Sequence, residues 1–441
     1  MSNLRDAWKT LPDGAPEKLV DQFFCIPALV QSLGFSKQED FPQFPTQRGP
    51  ADHALRRNEA SGQSFLANPR DPEVIIELKG KNINLVSGSA SYLSTVAQLK
   101  RYLLTPECSS AKWGVITNSV HIQLFRKHGK VIHPVTDCLE MTVDTVEDVI
   151  LKLRNHIENP RKALSVAVYN NKGGVGKTTT TVNLAAILTL FGKKVLAIDF
   201  DPNQQDLSNC LGMKLPNDQL YKCFDAKDKD ISPAIQTYDY SVKSNLNTKF
   251  DVVAIDEKLA YATEDPHLLT TFRNSTLAEA IDKVRDEYDY ILIDAPPNWR
   301  NFSRNAIYAA DVVLIPTKHN NAFSLRNAAI AIKDFIPQIQ EARGDAGPVA
   351  LPIFFNGEKI TPAQKQAAQV MLMELWKEFR RQINLQPYFF PRYKSTSKNL
   401  DVFEIPAYAN IANAAFSTVP AVYRDKVARD YYVSLAKEYF V

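Results

Sequence analysis

Short apolar runs alternate with stretches of helical periodicity along much of the chain. Leu164-Ser-Val-Ala-Val-Tyr169 reads as a β-strand, and Thr179 to Leu190 as a helix with Val182, Ala185, Ala186 and Thr189 at core spacing. Near the amino terminus, Val74 to Leu78 forms a second type of apolar strand, whose alternation places Glu77 and Lys79 on one face. From Met141 to Ala163 acidic and apolar positions alternate so that Val146, Val149, Ile150, Leu153 and Ile157 share a helical face, and Asn159-Pro160 ends it. This segment is predicted to be a connecting helix. The last residues, Val427 to Val441, are amphipathic, with Ala428, Tyr431, Leu435 and Tyr439 predicted to dock on a core. No low-complexity linker separates these regions, so a defined relation between them is expected.

Between the Leu164 strand and the Thr179 helix lies Lys172-Gly173-Gly174-Val175-Gly176-Lys177-Thr178-Thr179. Glycines allow a tight turn that aims backbone N–H groups at phosphate oxygens, and the start of the helix adds its positive end. Lys177 is placed to neutralise β- and γ-phosphates, and Thr178 to offer a hydroxyl to Mg²⁺. The usual phosphate loop begins with glycine; here Asn171 holds that position, and Lys172 supplies a second cation. A solvated loop lysine is the alternative reading of Lys172.

The loop resembles the deviant Walker A motif of the ParA/MinD family of ATPases. Lys194-Val-Leu-Ala-Ile-Asp-Phe-Asp-Pro202 is similar to that family's second strand and switch I, with Asp199 and Asp201 at its end; Tyr288-Asp-Tyr-Ile-Leu-Ile-Asp-Ala-Pro-Pro297 resembles its Walker B and switch II segment. Asn305 to Pro316 looks like the next helix end and strand, and Leu351-Pro-Ile-Phe-Phe-Asn356 like a further strand. The resemblance implies ATP and Mg²⁺ as cofactors, held by Gly173, Gly174, Val175, Gly176, Lys177, Thr178 and Thr179, with Asn356 near adenine. It further implies that Thr178 and Asp294 hold the metal, that Asp201 positions or activates water, and that Lys172 reaches the partner's site in a homodimer built across two ATP molecules. A partner protein that stimulates hydrolysis fits the same pattern. Asn203 departs from it, standing where the family has glutamine after Asp-Pro.

The first third of the chain carries a different set. Asp52 lies in Gly49-Pro-Ala-Asp-His-Ala-Leu55, and Glu77 and Lys79 in Asp71-Pro-Glu-Val-Ile-Ile-Glu-Leu-Lys-Gly80. Two carboxylates and an ammonium brought together in this way bind Mg²⁺ and orient a hydroxide for phosphodiester hydrolysis. On their own, Glu77 and Lys79 also suit a salt-bridged surface strand. The set resembles the PD-(D/E)XK nuclease core, especially the amino-terminal domain of type I restriction motor subunits. Gln98-Leu-Lys-Arg-Tyr102 matches a Q-x-x-x-Y helix, Trp113 to Asn118 with His121 to Phe125 a closing hairpin, and Glu17 to Pro27 the opening helix. Asp52 and Glu77 are then expected to bind metal, Lys79 to orient water, and Gln98 and Tyr102 to contact DNA or support the site; Glu17 reads as a helix-surface charge or an accessory acid.

The chain is therefore expected to be α/β: a restriction-endonuclease-like domain at 1–140, a connecting helix at 141–162, and at 163–441 a P-loop NTPase domain with a mostly parallel sheet flanked by helices. At 441 residues, two or three domains are expected. The net charge of +3 does not by itself announce nucleic acid, but Lys377, Arg380, Arg381, Arg392, Lys394 and Lys398 stand among Tyr388, Phe389, Phe390 and Tyr393. This cluster reads equally as a DNA-binding patch or a solvated face with core aromatics. Five cysteines without a C-x-x-C pair fit a reducing cytoplasm and leave no zinc motif. No signal peptide or membrane-length apolar run is present, and the carboxyl-terminal helix has few cations for a lipid surface, so a cytoplasmic protein without membrane contact is expected. The fusion suggests an ATP-controlled DNA nuclease in defence against foreign DNA; the competing reading is a partition-type ATPase whose first domain is an inactive DNA- or partner-binding module.

Overall fold

In the computed structural model, residues 2–58, 64–240, 248–260 and 272–441 are described. The chain divides into two compact units, Met1–Pro160 and a second that begins at Arg161 and holds most of the remainder.

The first unit opens with α1 (Ser2–Thr10) and a long helix α2 over 17–32, whose middle, Asp21–Leu29, is wound as a π-helix. Strands β1 (Asp40–Phe44), β2 (Ala51–Leu55) and β3 (Val74–Leu78) follow, then α3 (Ala90–Leu103), β4 (Trp113–Thr117), β5 (His121–His128), β6 (Val131–Pro134), β7 (Leu139–Glu140) and α4 (Val146–Glu158). The sheet runs β1-β2-β3-β4-β5-β6, with β7 also on β5; β3 and β4 are parallel, joined by the α3 crossover, and the other pairs are antiparallel. β3 is buried along its whole length, Glu77 included, because both faces are covered. On one face Leu99, Tyr102 and Leu103 of α3 pack with Ile75 and Ile116; on the other α1, α2 and α4 pack on Val74, Ile76 and Val115. Gly114 lets α3 approach closely, since a Cβ there would stand 2.8 Å from Leu103 Cδ1.

α4 is the helix expected as a connector, and its Val146, Ile150, Leu153 and Ile157 are built into this core beside Leu4 and Leu29. It belongs to the first unit, and Val149 sits at its edge.

The second unit contains β8 (Leu164–Val168), α5 (Lys177–Leu190), β9 (Val195–Asp199), β10 (Ile235–Asp239), β11 (Lys249–Val253), β12 (Tyr290–Asp294), α6 (Asn301–Tyr308), β13 (Val312–Leu314), β14 (Pro316–Thr317), α7 (Ala322–Ile330), β15 (Val349–Ala350), β16 (Phe354–Glu358), α8 (Pro362–Phe379), β17 (Phe403–Pro406) and α9 (Lys426–Tyr439). Its main sheet is ordered β10-β11-β9-β12-β8-β13-β15, and every pair but β10 with β11 is parallel. A second sheet, β14-β16-β17, is parallel throughout. β8, β9 and β12 are buried at every position, as strands of a parallel sheet covered on both faces must be. The strand expected at Leu351–Asn356 begins only at Phe354. α9 packs on α5 and β17 and buries Ala428, Tyr432, Leu435, Ala436 and Tyr439, the last against Phe354 and Phe403; Tyr432 is buried where Tyr431 was expected.

Candidate functional sites

In the second unit the parallel sheet brings three strand ends together. β12 lies between β8 and β9, and Asp294 is in register with both Val168 and Asp199. The loop after β8 leads directly into α5. Gly174 and Gly176 take φ values of +73° and +82°, a region open to glycine at little cost. Gly176 is doubly constrained, because a Cβ there would run into Asn356 Nδ2. The loop is anchored from outside: Asn170 donates to the carbonyls of Pro316 and Ser324, and Asn327 to that of Asn171 at 2.6 Å.

Lys177 is 8 % exposed and its Nζ donates to the Lys172 carbonyl at 3.3 Å. Thr178 Oγ1 donates to Asp294 Oδ2 at 2.6 Å, while Asp294 Oδ1 is buried with no protein partner. Burial, and next the Asp199 carboxylate, push the Asp294 carboxyl up to about 8. Burial likewise raises Asp199 to about 6, against Ser208, which donates to it from both N and Oγ. Burial lowers Lys177, with Asp294, Asp201 and Asp206 opposing. Asp201 is nearly buried and accepts from the backbone N–H of Asn203 at 3.1 Å. A pocket with several crowded carboxyl groups that bind protons tightly, one unsatisfied carboxyl oxygen and an adjacent hydroxyl suits a hard, oxygen-seeking divalent cation.

Gly173, Gly174, Val175 and Gly176 form the loop, Thr178 and Thr179 lie in the first turn of α5, and Lys172 at the loop's start is half-buried. Asn356 sits against the loop. Its amide nitrogen is committed to Val175 O, Gly176 O and Thr180 Oγ1, so it braces the loop. A cavity of about 150 Å³ beside it is walled by Thr179, Pro406, Tyr408 and Ile411. Asn170 anchors the loop, Ser208 holds the Asp199 carboxylate, and the α9 residue Tyr432 reaches the Thr179 carbonyl, none of them carrying a motif that would single it out.

In the first unit, antiparallel pairing of β2 with β3 sets His53 opposite Ile76 and therefore Asp52 opposite Glu77 on the α3 face. Asp52 Oδ2 accepts from Leu78 N at 2.7 Å. Lys79 contacts Glu77 Oε1 directly and donates to the Leu78 carbonyl at 2.7 Å. Glu77 Oε2 is buried and unpartnered. Burial first, then the Asp52 charge, push Glu77 up to about 7. Glu17 is exposed at the start of α2, and its Oε2 lies 3.7 Å from Lys79 Nζ. Gln98 is turned to Tyr102, donating to its hydroxyl at 3.0 Å. Three of the expected residues thus converge, Glu17 joins them, and Gln98 with Tyr102 forms a separate pair on α3.

The expected patch near the end of the chain divides by residue type. Lys377, Arg380, Arg381, Lys394 and Lys398 are exposed, and Arg392 is bound to Glu438 at 2.6 Å. Phe389 and Phe390 are fully buried, so they are core residues and offer no face to a nucleobase. Among the described residues no helix is long and apolar enough to cross a membrane.

Comparison with known proteins gives this second unit relatives. Residues 163–345 match a protein-family model described as "AAA domain". The chain is 38% identical to the sporulation initiation inhibitor protein Soj of Bacillus subtilis over 154 residues, covering 35% of this chain and 57% of Soj. It is 34% identical to the chromosome partitioning protein ParA of Caulobacter vibrioides over 194 residues, 43% of this chain and 66% of ParA. The chain thus spans little more than half the length of the first of these relatives. Among solved structures, Cyanothece McdA, determined as an ATP complex, aligns at 18% identity with a TM-score of 0.47, over 63% of this chain and 96% of McdA.

Proposed function

We propose that the second unit is a P-loop ATPase domain of the ParA/MinD type, and that the protein is an ATP-switched dimer whose first unit is a metal-dependent DNA nuclease. The observation that carries this reading is common to both units. Each places a carboxylate in or at the end of a buried strand with one oxygen lacking any protein partner: Asp294 Oδ1 and Glu77 Oε2.

In the ATPase unit, backbone N–H groups of residues 173–178 would receive the phosphates, Lys177 would neutralise them, and Thr178 and Asp294 would hold Mg²⁺, directly or through water. When bound, Mg²⁺ would supply charge neutralisation at the phosphates. The apolar cleft beside Asn356 would take the base. Asp201 would orient the attacking water. Lys172 would complete the partner's charge complement, so that turnover waits for dimerisation. In the first unit, Asp52 and Glu77 would hold a divalent ion that supplies Lewis-acid chemistry, and Lys79 would orient the nucleophilic water, with Glu17 as a neighbouring acid. Such a nuclease kept under nucleotide control suits defence against foreign DNA.

A second reading is favoured by the direct Lys79–Glu77 pair, which occupies the lysine, and by the partition role in the name of the Caulobacter relative. The protein is then a positioning ATPase whose first unit binds DNA or a partner without cutting.

Purified full-length protein with Mg²⁺ or Mn²⁺ and several DNA forms separates the two. Nucleotide-dependent cutting that is lost in Glu77→Ala supports the first reading; ATP-dependent DNA coating without cutting supports the second. Within the ATPase unit, Lys177→Ala is expected to lose nucleotide binding, and Lys172→Ala to keep binding while losing turnover. Normal turnover in Lys172→Ala would end the proposed role in trans.

A further inference from the structure

The sequence contains no paired-cysteine zinc motif, yet the fold assembles a set of mixed donors around one cysteine. Asp21 and Cys25 are four residues apart on the π-wound part of α2, a geometry concentrated at functional sites. Both side chains meet β2 at His53. Cys25 and His53 are fully buried, and Asp40 on β1 is nearly so. His53 Nε2 is 2.7 Å from Asp21 Oδ1, and His53 Nδ1 is 2.8 Å from Asp40 Oδ1. An oxygen of Asp21, the sulfur of Cys25 and a ring nitrogen of His53 all lie within 4.8 Å of one another.

We propose that Asp21, Cys25 and His53 form a binding site for a borderline transition-metal ion, Zn²⁺ in the first place, with Asp40 as the carboxylate that orients His53. Sulfur, imidazole nitrogen and carboxylate oxygen are the donors Zn²⁺ accepts, whereas Mg²⁺ discriminates against thiolate. The site is therefore chemically distinct from Asp52 and Glu77. The Asp40–Nδ1 bond fixes the ring so that Nε2 faces the ion, the arrangement in which a histidine ligand is usually held. His53 is inaccessible, but the Asp21 side chain is 30% exposed. That opening supplies an entry path and room for a water as fourth ligand. Around a tetrahedral ion the nitrogen and oxygen would stand roughly 3.4 Å apart. A small outward turn of Asp21 from its present contact accomplishes this. Binding releases the Cys25 thiol proton and the proton shared between Nε2 and Asp21. Asp52 and His53 are neighbours on β2 but project to opposite faces, so an ion at His53 would brace the strand that carries Asp52 without sharing a ligand with it.

The test uses full-length protein stripped with a chelator and titrated with Co²⁺. One bound ion per chain should give sulfur-to-cobalt charge-transfer absorption in the near ultraviolet. Cys25→Ser should abolish that band, and Asp21→Asn should weaken Co²⁺ binding at least roughly tenfold. Asp21 is at the surface, so the second variant keeps the test decisive even where removal of the buried thiol impairs folding. A band that survives both substitutions belongs to another cysteine and overturns the proposal. So does Co²⁺ uptake without a band that is lost only in Glu77→Gln, because Asp52 and Glu77 offer no sulfur. Neither outcome bears on whether the first unit cuts DNA.

Discussion

Glu77 shows how one side chain can weaken a fold and prepare a site. It is 1% exposed, faces Asp52 across the strand pair, and has an oxygen with no protein partner. Burial and the Asp52 charge raise its carboxyl from 4.5 to about 7. A carboxyl that binds its proton more tightly when folded favours the folded state below about 4.5, and that advantage is lost as pH rises toward about 7. Glu77→Gln should therefore raise the melting temperature near pH 8 in chelator, by roughly 2–4 °C, while removing any stabilisation by added Mg²⁺ or Mn²⁺. A variant that melts lower in chelator would show that Glu77 is a structural partner of Lys79. Gly176 makes the complementary case in the other unit. Its φ of +82° and the Asn356 amide leave no room for a methyl group, so Gly176→Ala should lose about 1–2 kcal/mol of stability and weaken nucleotide binding together. Denaturant titration beside nucleotide titration checks both.

At the scale of elements, α5 and α9 show what a chain makes legible. The P-loop, its strand and α5 were readable because their chemistry is contiguous in sequence. α9 was readable as an amphipathic docking helix, but its inward face runs through Tyr432, one residue from the expected Tyr431, because several apolar residues crowd its register. The role of α4 was hidden for another reason: its partners Leu4 and Leu29 lie more than a hundred residues away, and helical periodicity identifies a buried face without naming what covers it. Separation in sequence also concealed the grouping of Asp21 and Asp40 around His53, at 32 and 13 residues, and the bracing of the loop by Asn356, 181 residues from Val175. Because Leu435 is fully buried on α9, a helix that packs on α5, Leu435→Ala should cost about 2–5 kcal/mol. As Tyr432 on the same helix reaches the Thr179 carbonyl, nucleotide affinity should fall with stability, read by calorimetry on the same samples.

For the molecule as a whole, DNA is the proposed ligand whose mode of binding the structure narrows most. With Phe389 and Phe390 buried, the cations near the end of the chain have no aromatic platform among those two rings, and Arg392 is already held by Glu438. What is left is Lys377, Arg380, Arg381, Lys394 and Lys398 on the surface. Such a set reads phosphate charge and not base identity, so binding through it should be indifferent to sequence and steeply dependent on salt. A handful of cations would hold DNA weakly in one copy; in the proposed ATP-bound dimer two copies would add their counterion release and tighten it. Affinity should accordingly rise with ATP over ADP. Replacing Arg380, Arg381, Lys394 and Lys398 by alanine should flatten the plot of log affinity against log salt by about 0.9 for each phosphate contact removed. An unchanged slope, with affinity still set by ATP, would move the DNA-binding surface elsewhere on the dimer and leave these residues as ordinary solvated charges.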